Sequence, residues 1–401
     1  MAAAPTSLGE KMREDLSCSI CLELFTRPKA LPCQHTFCQD CLQHLVHVHV
    51  GEGVFLQCPY CRLLARLPPE GVSGFPDNRM ASSLCEKLLQ LLGESQPRLS
   101  GPVLSASTTR RILFGGEGSE TGLFKGPVSV TVSGEGEIFL ADHLNQRIQV
   151  FNLRGTFVRQ FPTVASDDTE KMDPFDLALD GEGNLWVVGK RWAVEKPDSP
   201  GLAVHYTKQG MVLEKFELQD TAWFRGVAVD TRRNHILITQ TTGDLDNTDK
   251  LHGEVQVFRP DGTLVRTVGT HNSWWSFLSR QQRLRYPLYL TVDGDGNILV
   301  PDCVSHCVFV YDEDGQFLFQ FGGEGSGEGQ LSDPHGICTD GSGNIVVADT
   351  GNSRVELFDK TGRFIRHVAT DVKRPRDVAM ATQGQLAVTD MNGVVTIFCN
   401  F

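Results

Sequence analysis

Residues 18–61 read CSICLELFTRPKALPCQHTFCQDCLQHLVHVHVGEGVFLQCPYC. Metal-ligating side chains recur in it at tight intervals. Cys18-x2-Cys21 is followed by eleven residues, then Cys33-x-His35-x2-Cys38-x2-Cys41, then sixteen residues, then Cys58-x2-Cys61. Eight thiolate and imidazole donors suffice for two closed tetrahedral zinc sites, because a Cys-x2-Cys turn delivers two sulfurs to one ion. The ion must also displace the thiol protons at neutral pH. Spacing alone leaves two pairings open, neighbouring pairs or interleaved ones. Three Cys-x2-Cys units and a Cys-x-His in so short a stretch are specific for zinc.

The chain has 12 cysteines, and the five outside this stretch (Cys85, Cys303, Cys307, Cys338 and Cys399) are scattered. That distribution points to metal binding in a reducing compartment and away from a disulfide framework. The N-terminus, MAAAPTSLGEKMREDL, lacks the basic and apolar regions of a signal peptide. No apolar run approaches the roughly 20 residues of a membrane span. The expected location is the cytoplasm, with the nucleus as the second choice. At 401 residues, 40% hydrophobic and 21% charged, the chain is expected to fold into two globular domains.

The cysteine segment resembles the RING fingers of tripartite-motif ubiquitin ligases. The resemblance implies a small cross-braced α+β domain of the C3HC4 type with two structural zinc ions. It puts Cys18, Cys21, Cys38 and Cys41 on one ion, and Cys33, His35, Cys58 and Cys61 on the other. It implies partnership with a ubiquitin-conjugating enzyme and ubiquitin, with no covalent ubiquitin intermediate on this chain. By motif position, Ile20, Leu45 and Pro59 would form the groove for the carrier enzyme. Arg62 would bridge carrier and ubiquitin, its planar fork serving two acceptors at once. His44, His47 and His49 fall on and after the central helix and read as solvent-facing, the ligand set being complete without them.

Beyond the finger (18–62), Pro68, Pro69, Gly71 and Gly74 mark irregular chain. Met80, Leu84, Leu88, Leu91 and Leu92 then recur at helical spacing, with Asp77 or Asn78 as a cap and Gly93 as a stop. Cys85 in this helix reads as buried and inert. A short helix around 8–16 is expected in the N-terminal flank (1–17). In the resembled family, such flanking helices (here 1–17 and 63–93) pair to dimerise the finger; packing of the helix on its own finger is the other expectation. Residues 94–108 read as a polar linker. A second Cys/His cluster and a heptad coiled coil, both usual in that family, are absent from the sequence.

From about residue 109 the chain repeats. The strongest unit, DPHGICTDGSGNIVVADTGNSRVELFDKTGRFIRHVA, begins at Asp333. Echoes begin at Gly126, Asp173, Trp223, Tyr286 and Arg374. Each unit alternates short apolar runs with turn residues, the pattern of four antiparallel strands in one propeller blade. The sixth unit lacks an outer strand, and residues 110–116 (RRILFGG) match one. The expected fold for 109–401 is therefore an all-β six-bladed propeller closed by the N-terminal strand 110–116. The units resemble NHL repeats, and the whole chain resembles RING–NHL ubiquitin ligases.

Asp142, Asp302, Asp349 and Asp390 occupy one repeat position and read as turn-forming acceptors of backbone hydrogen bonds. Cys303 and Cys307 read as lacking further ligands nearby. Insertions at about 190–203, 241–253 and 270–285 are expected to project toward partners. Trp274, Trp275 and Phe277 with Arg280 form the candidate protein-substrate anchor.

The resemblance makes a ubiquitin ligase, with a propeller that recruits a protein substrate, the first functional expectation. An RNA-binding regulator is the second. Residues 109–401 hold 28 Lys+Arg against 39 Asp+Glu, a net of −11, which opposes broad RNA affinity.

Overall fold

In the first unit, β1 (Pro28–Ala30) pairs antiparallel with β2 (Thr36–Cys38), and α1 (Gln39–Gln43) follows. β3 (His47–Val50), β4 (Gly53–Gln57) and β5 (Leu64–Arg66) form a three-stranded antiparallel sheet. His47 and His49 thus lie on a strand. Leu31, Phe37, Leu42, Leu56, Val72 and Phe75 make a small core around the cysteines. The computed structural model describes residues 16–18, 20, 24–43, 47–50, 53–59, 61, 63–92, 111–164, 171–191, 200–219, 224–244, 247–269 and 283–399. The expected helix near 8–16 falls outside them except for Leu16, and the 94–108 linker falls outside entirely.

The helix after the finger, α2, spans Arg79–Leu92. The Asn78 Oδ1 caps it by accepting from Ala81 N at 3.0 Å. Its buried face differs from the sequence reading. Met80 is 74% exposed and Leu84 is 38% exposed, whereas Ala81, Cys85 and Leu88 are buried. Cys85 and Leu88 pack with Leu16, Leu24 and Phe25 of the same finger. Small Ala81 and Cys85 share one stripe with Leu88, and a pattern that counted large residues placed the stripe one position off. Burial raises the Cys85 thiol above its ordinary value, in keeping with an inert side chain. Buried Lys29 anchors the approach to α2: its Nζ donates to Ser73 O and Phe75 O at 2.8 and 3.1 Å and pairs with Asp77 Oδ1 at 2.7 Å.

Among the described residues, the second unit contains six four-stranded sheets. Five are built from consecutive strands, within 127–162, 173–218, 227–268, 291–322 and 334–369. The sixth takes three strands from 375–398 and its fourth from β6 (Arg111–Gly115). These are blades 1 to 6. The faint repeats at Asp173 and Trp223 yield complete blades, with strands such as Gly201–Tyr206 and His235–Thr242 reaching into the segments read as insertions.

Blade turns follow from their residues. In blade 5, Asp340 Oδ1 accepts from Ser342 N and Asn344 N, both at 2.8 Å. Gly343 takes φ +83, a conformation that glycine adopts without steric cost. Asp293 repeats the arrangement in blade 4 with Asp295 N and Asn297 N.

Cores lie between neighbouring blades. Val187 of blade 2 packs toward blade 1, with Phe139 and Val150. Trp186 and Val188 beside it pack toward blade 3, with Ile236 and Ile238. The two-residue period of a strand thus feeds two cores from one run, so middle strands such as Ile345–Asp349 are buried throughout. Outer strands such as Phe317–Gly322 alternate between partial burial and exposure. Innermost strands surround a cavity of about 240 Å³ touched by Val130, Asp176, Val227, Tyr289, Ile337 and Asp377. The strands approach so closely that a Cβ on Gly336 would lie 2.3 Å from Asp377 Oδ1. Among the described residues, no helix is long and apolar enough to cross a membrane.

Two buried carboxylates join four innermost strands. Asp176 accepts from Ser129 Oγ at 2.5 Å and Val227 N at 2.7 Å. Asp377 accepts from Val130 N at 2.8 Å. Burial pushes the Asp377 carboxyl up to about 7, and burial plus the neighbouring Asp377 holds Asp176 well above the usual carboxylate range. Folded-state values above the unfolded one mean that the folded chain holds the extra proton between about pH 4 and 7, so stability declines as pH rises through that window. Calorimetric melting from pH 5 to 8 should show this decline in the propeller transition and a shallower one in Asp377→Asn. Equal slopes would remove the dyad as the cause.

Candidate metal centre

The turn 31–34 reverses the chain between β1 and β2. Gln34 N donates to Leu31 O at 2.8 Å, Leu31 N donates to His35 O at 2.9 Å, and Gln34 takes φ +69. The turn carries Cys33 and places His35 just past it, while Cys38 ends β2 and Cys41 lies in α1. A second loop closes where Cys58 N donates to Leu63 O at 2.9 Å, and it carries Cys58 and Cys61.

These loops bring Cys33, His35, Cys58 and Cys61 together, with donor atoms all within 4.8 Å of one another. Cys18, Cys38 and Cys41 form a second such group; Cys21 lies outside the described residues. The grouping is interleaved, since Cys38 and Cys41 fall in sequence between the members of the other set. It settles the pairing that spacing left open. The donor distances suit zinc. His35 Nδ1 is 3.4 Å from Cys33 Sγ and 3.6 Å from Cys58 Sγ. A tetrahedral N–Zn–S edge is about 3.5 Å, given bonds of about 2.0 and 2.3 Å. The two clusters are consistent with two zinc ions.

Backbone amides support the sulfurs. Thr26 N donates to Cys38 Sγ at 3.1 Å, and Cys38 N donates to Cys18 Sγ at 3.4 Å. Leu63 N–H beside Cys61 lowers that thiol below its ordinary value. Such donors stabilise thiolate charge and orient ligands around an ion. Four protein ligands close a zinc site and leave no position for substrate, so ions held this way serve structure.

Ile20 is 5% exposed and packs with Leu31, Phe37 and Leu42, and Pro59 is buried as well. Neither side chain is offered to solvent. Leu45 and Arg62 lie outside the described residues, as do Trp274, Trp275, Phe277 and Arg280 in the propeller. The four recurring aspartates have different partners. Asp349 accepts from Ser332 N, Asn352 Nδ2 and Arg354 Nε, and Asp142 accepts from Lys125 N, Asn145 Nδ2 and Arg147 Nε. Asp302 and Asp390 accept backbone N–H groups, from Arg285, Tyr286 and Ser305 and from Asn392 and Val394. The turn reading thus missed two buried ion pairs. An arginine five residues after Asp142 and Asp349 was the available signal.

The reading of Cys303 as lacking ligands nearby is corrected. Cys303, Asp333 and His335 form a third group within 4.8 Å. Asp333 and His335 belong to the next blade, beyond the reach of a pattern confined to one.

Known proteins resemble the chain in parts. A family model for the RING-type zinc-finger matches residues 18–59, and one for the NHL repeat matches residues 331–358. Over 84 residues, 21% of this chain and 10% of the relative, it is 40% identical to the E3 ubiquitin-protein ligase TRIM56 of Homo sapiens. Over 83 residues, 21% of this chain and 11% of the relative, it is 41% identical to Tripartite motif-containing protein 2 of Bos taurus. The chain thus spans about a tenth of the length of the curated relatives it matches. A solved structure of a structural-genomics protein of unknown function from Bacteroides thetaiotaomicron aligns with a TM-score of 0.51 at 12% identity. That match covers 72% of this chain and 76% of the other, and it shows likeness of fold alone. The chain carries an N-terminal RING-type zinc finger homologous to those of tripartite-motif proteins, followed by a six-bladed β-propeller that contains an NHL repeat.

Proposed function

We propose that the chain is a RING-type ubiquitin ligase. Its finger binds a ubiquitin-charged conjugating enzyme, and its propeller recruits the protein that receives ubiquitin. The interleaved ligand grouping within a segment that matches the RING model carries this reading. A finger whose zinc ions are coordinatively closed and whose cysteines are committed to metal has no nucleophile of its own. The reaction is then attack of a substrate amine on the carrier's thioester, with the carrier thiolate as leaving group. The finger contributes orientation.

Within this reading Arg62 spans carrier and ubiquitin and Leu45 faces the carrier, while buried Ile20 and Pro59 support that surface from within the finger. Truncating buried Ile20 or Pro59 would disturb the finger's core along with any docking, so Arg62 is the informative position. Losing a charge-assisted bidentate contact costs about 1.5–3 kcal/mol. Arg62→Ala should therefore slow discharge of ubiquitin from a charged carrier by about 10- to 100-fold while carrier binding stays near that of the parent. Parent-like discharge would reject the role. RNA binding has a net of −11 over residues 109–401 against it; a filter-binding titration at low salt that yields no complex would exclude it.

A further inference from the structure

Blades 4 and 5 meet at three side chains that neither fold nor ligase chemistry explains. Cys303 follows the strand Ile298–Asp302 of blade 4. Asp333 precedes the strand Pro334–Thr339 of blade 5, and His335 is the second residue of that strand. A sulfur, a carboxylate oxygen and an imidazole nitrogen from these residues all lie within 4.8 Å of one another. His335 Nε2 is 3.3 Å from Asp333 Oδ1, about the N–O edge of a tetrahedral zinc site with bonds near 2.0–2.1 Å.

The side chain of His335 is 9% exposed, and its Nδ1 is buried without a hydrogen-bond partner. Cys303 is 7% exposed, and its thiol donates to Tyr286 O at 3.1 Å. Burial, and then the charges of Asp302 and Asp333, raise that thiol well above its ordinary value. Arg374 Nη2 lies 4.0 Å from Asp333 Oδ2 on the exposed side, and His306 Nδ1 accepts from Asp333 N at 3.0 Å. Where blade 5 meets blade 6, the repeat-equivalent residues are Thr350, Arg374 and Arg376, which cannot form such a set.

We propose that Cys303, Asp333 and His335 form a third metal site, selective for a zinc-class divalent cation, that clips blade 4 to blade 5. One sulfur, one nitrogen and one oxygen donor match a borderline-soft ion and disfavour magnesium or calcium. Three protein ligands leave a fourth position for water. Binding transfers the Cys303 proton to solvent and is therefore stronger at higher pH. The site is independent of the finger and of the ligase reading.

The full chain, dialysed to equilibrium against buffered free Zn²⁺ and analysed for metal, should hold about three ions. Cys303→Ser and His335→Gln should each hold about two, and Cys307→Ser about three. Saturating Zn²⁺ should also raise the propeller melting temperature of the parent, since an ion bound only by the folded state stabilises it. Asp333→Asn, which keeps the side-chain shape, should lose that rise and serves as the probe if either other variant fails to fold. A parent that stops at about two ions overturns the site. A third ion that survives both Cys303→Ser and His335→Gln is held elsewhere and overturns it equally.

Discussion

Incubating the intact chain with a strong chelator is expected to unfold residues ~15–90 and leave the propeller folded. The described core of the finger is two small clusters, one around the cysteines and one where α2 meets Leu16, Leu24 and Phe25, and a domain of this size gains little from burial alone. Structural zinc contributes about 10–16 kcal/mol per site in comparable small domains, so two sites together exceed the roughly 5–15 kcal/mol that stabilises whole proteins. Removing two such ions exceeds anything the apolar clusters can offset. The propeller draws its stability from clusters such as those joining blades 1 and 2 and blades 4 and 5. NMR or hydrogen exchange should therefore show collapse of the finger's protection with the blade amides little changed. A finger that keeps its protected amides after the metal is gone would refute the zinc assignment.

Asp349→Ala should destabilise the propeller by about 3–5 kcal/mol. Asp349 is fully buried, and its carboxylate accepts from Arg354 Nε at 2.7 Å, Asn352 Nδ2 at 2.8 Å and Ser332 N at 2.7 Å. Arg354 is itself 8% exposed. Truncation takes the acceptor from Arg354 Nε, Asn352 Nδ2 and Ser332 N at once, although Arg354 keeps Glu356 and the carbonyls of Ser326, Gly327 and Gln330. Asp390 provides the control. It occupies the same repeat position but accepts the backbone amides of Asn392 and Val394, so Asp390→Ala should cost about 1–3 kcal/mol, the scale of a lost hydrogen-bond acceptor. Denaturant melts of the two variants would compare them directly. Equal losses would mean that Arg354 adds nothing to the role of Asp349.

Legibility varied with how local each feature is. The zinc knuckles were readable because a Cys-x2-Cys pair is a contact within one turn. The blades were readable because strand alternation and Asp/Gly turns recur at short range, as at Asp340 and Gly343. The buried face of α2 was misread because Ala81 and Cys85 weigh little in an apolar pattern. Partners contributed by other blades were not readable. Arg354 was legible as a charge but not as a buried one, and Asp176 and Asp377 looked like ordinary acidic residues.

The sequence by itself determined that the chain has a two-zinc finger and six repeated four-stranded units, since both follow from spacing within a few residues. Only the tertiary structure decided which cysteines share an ion. It also showed that α2 turns Cys85 and Leu88 to its own finger, and that Cys303 faces Asp333 and His335. Those facts depend on closing loops that join residues 20 or more apart. Closure is set by packing of the whole unit, and no local propensity encodes it.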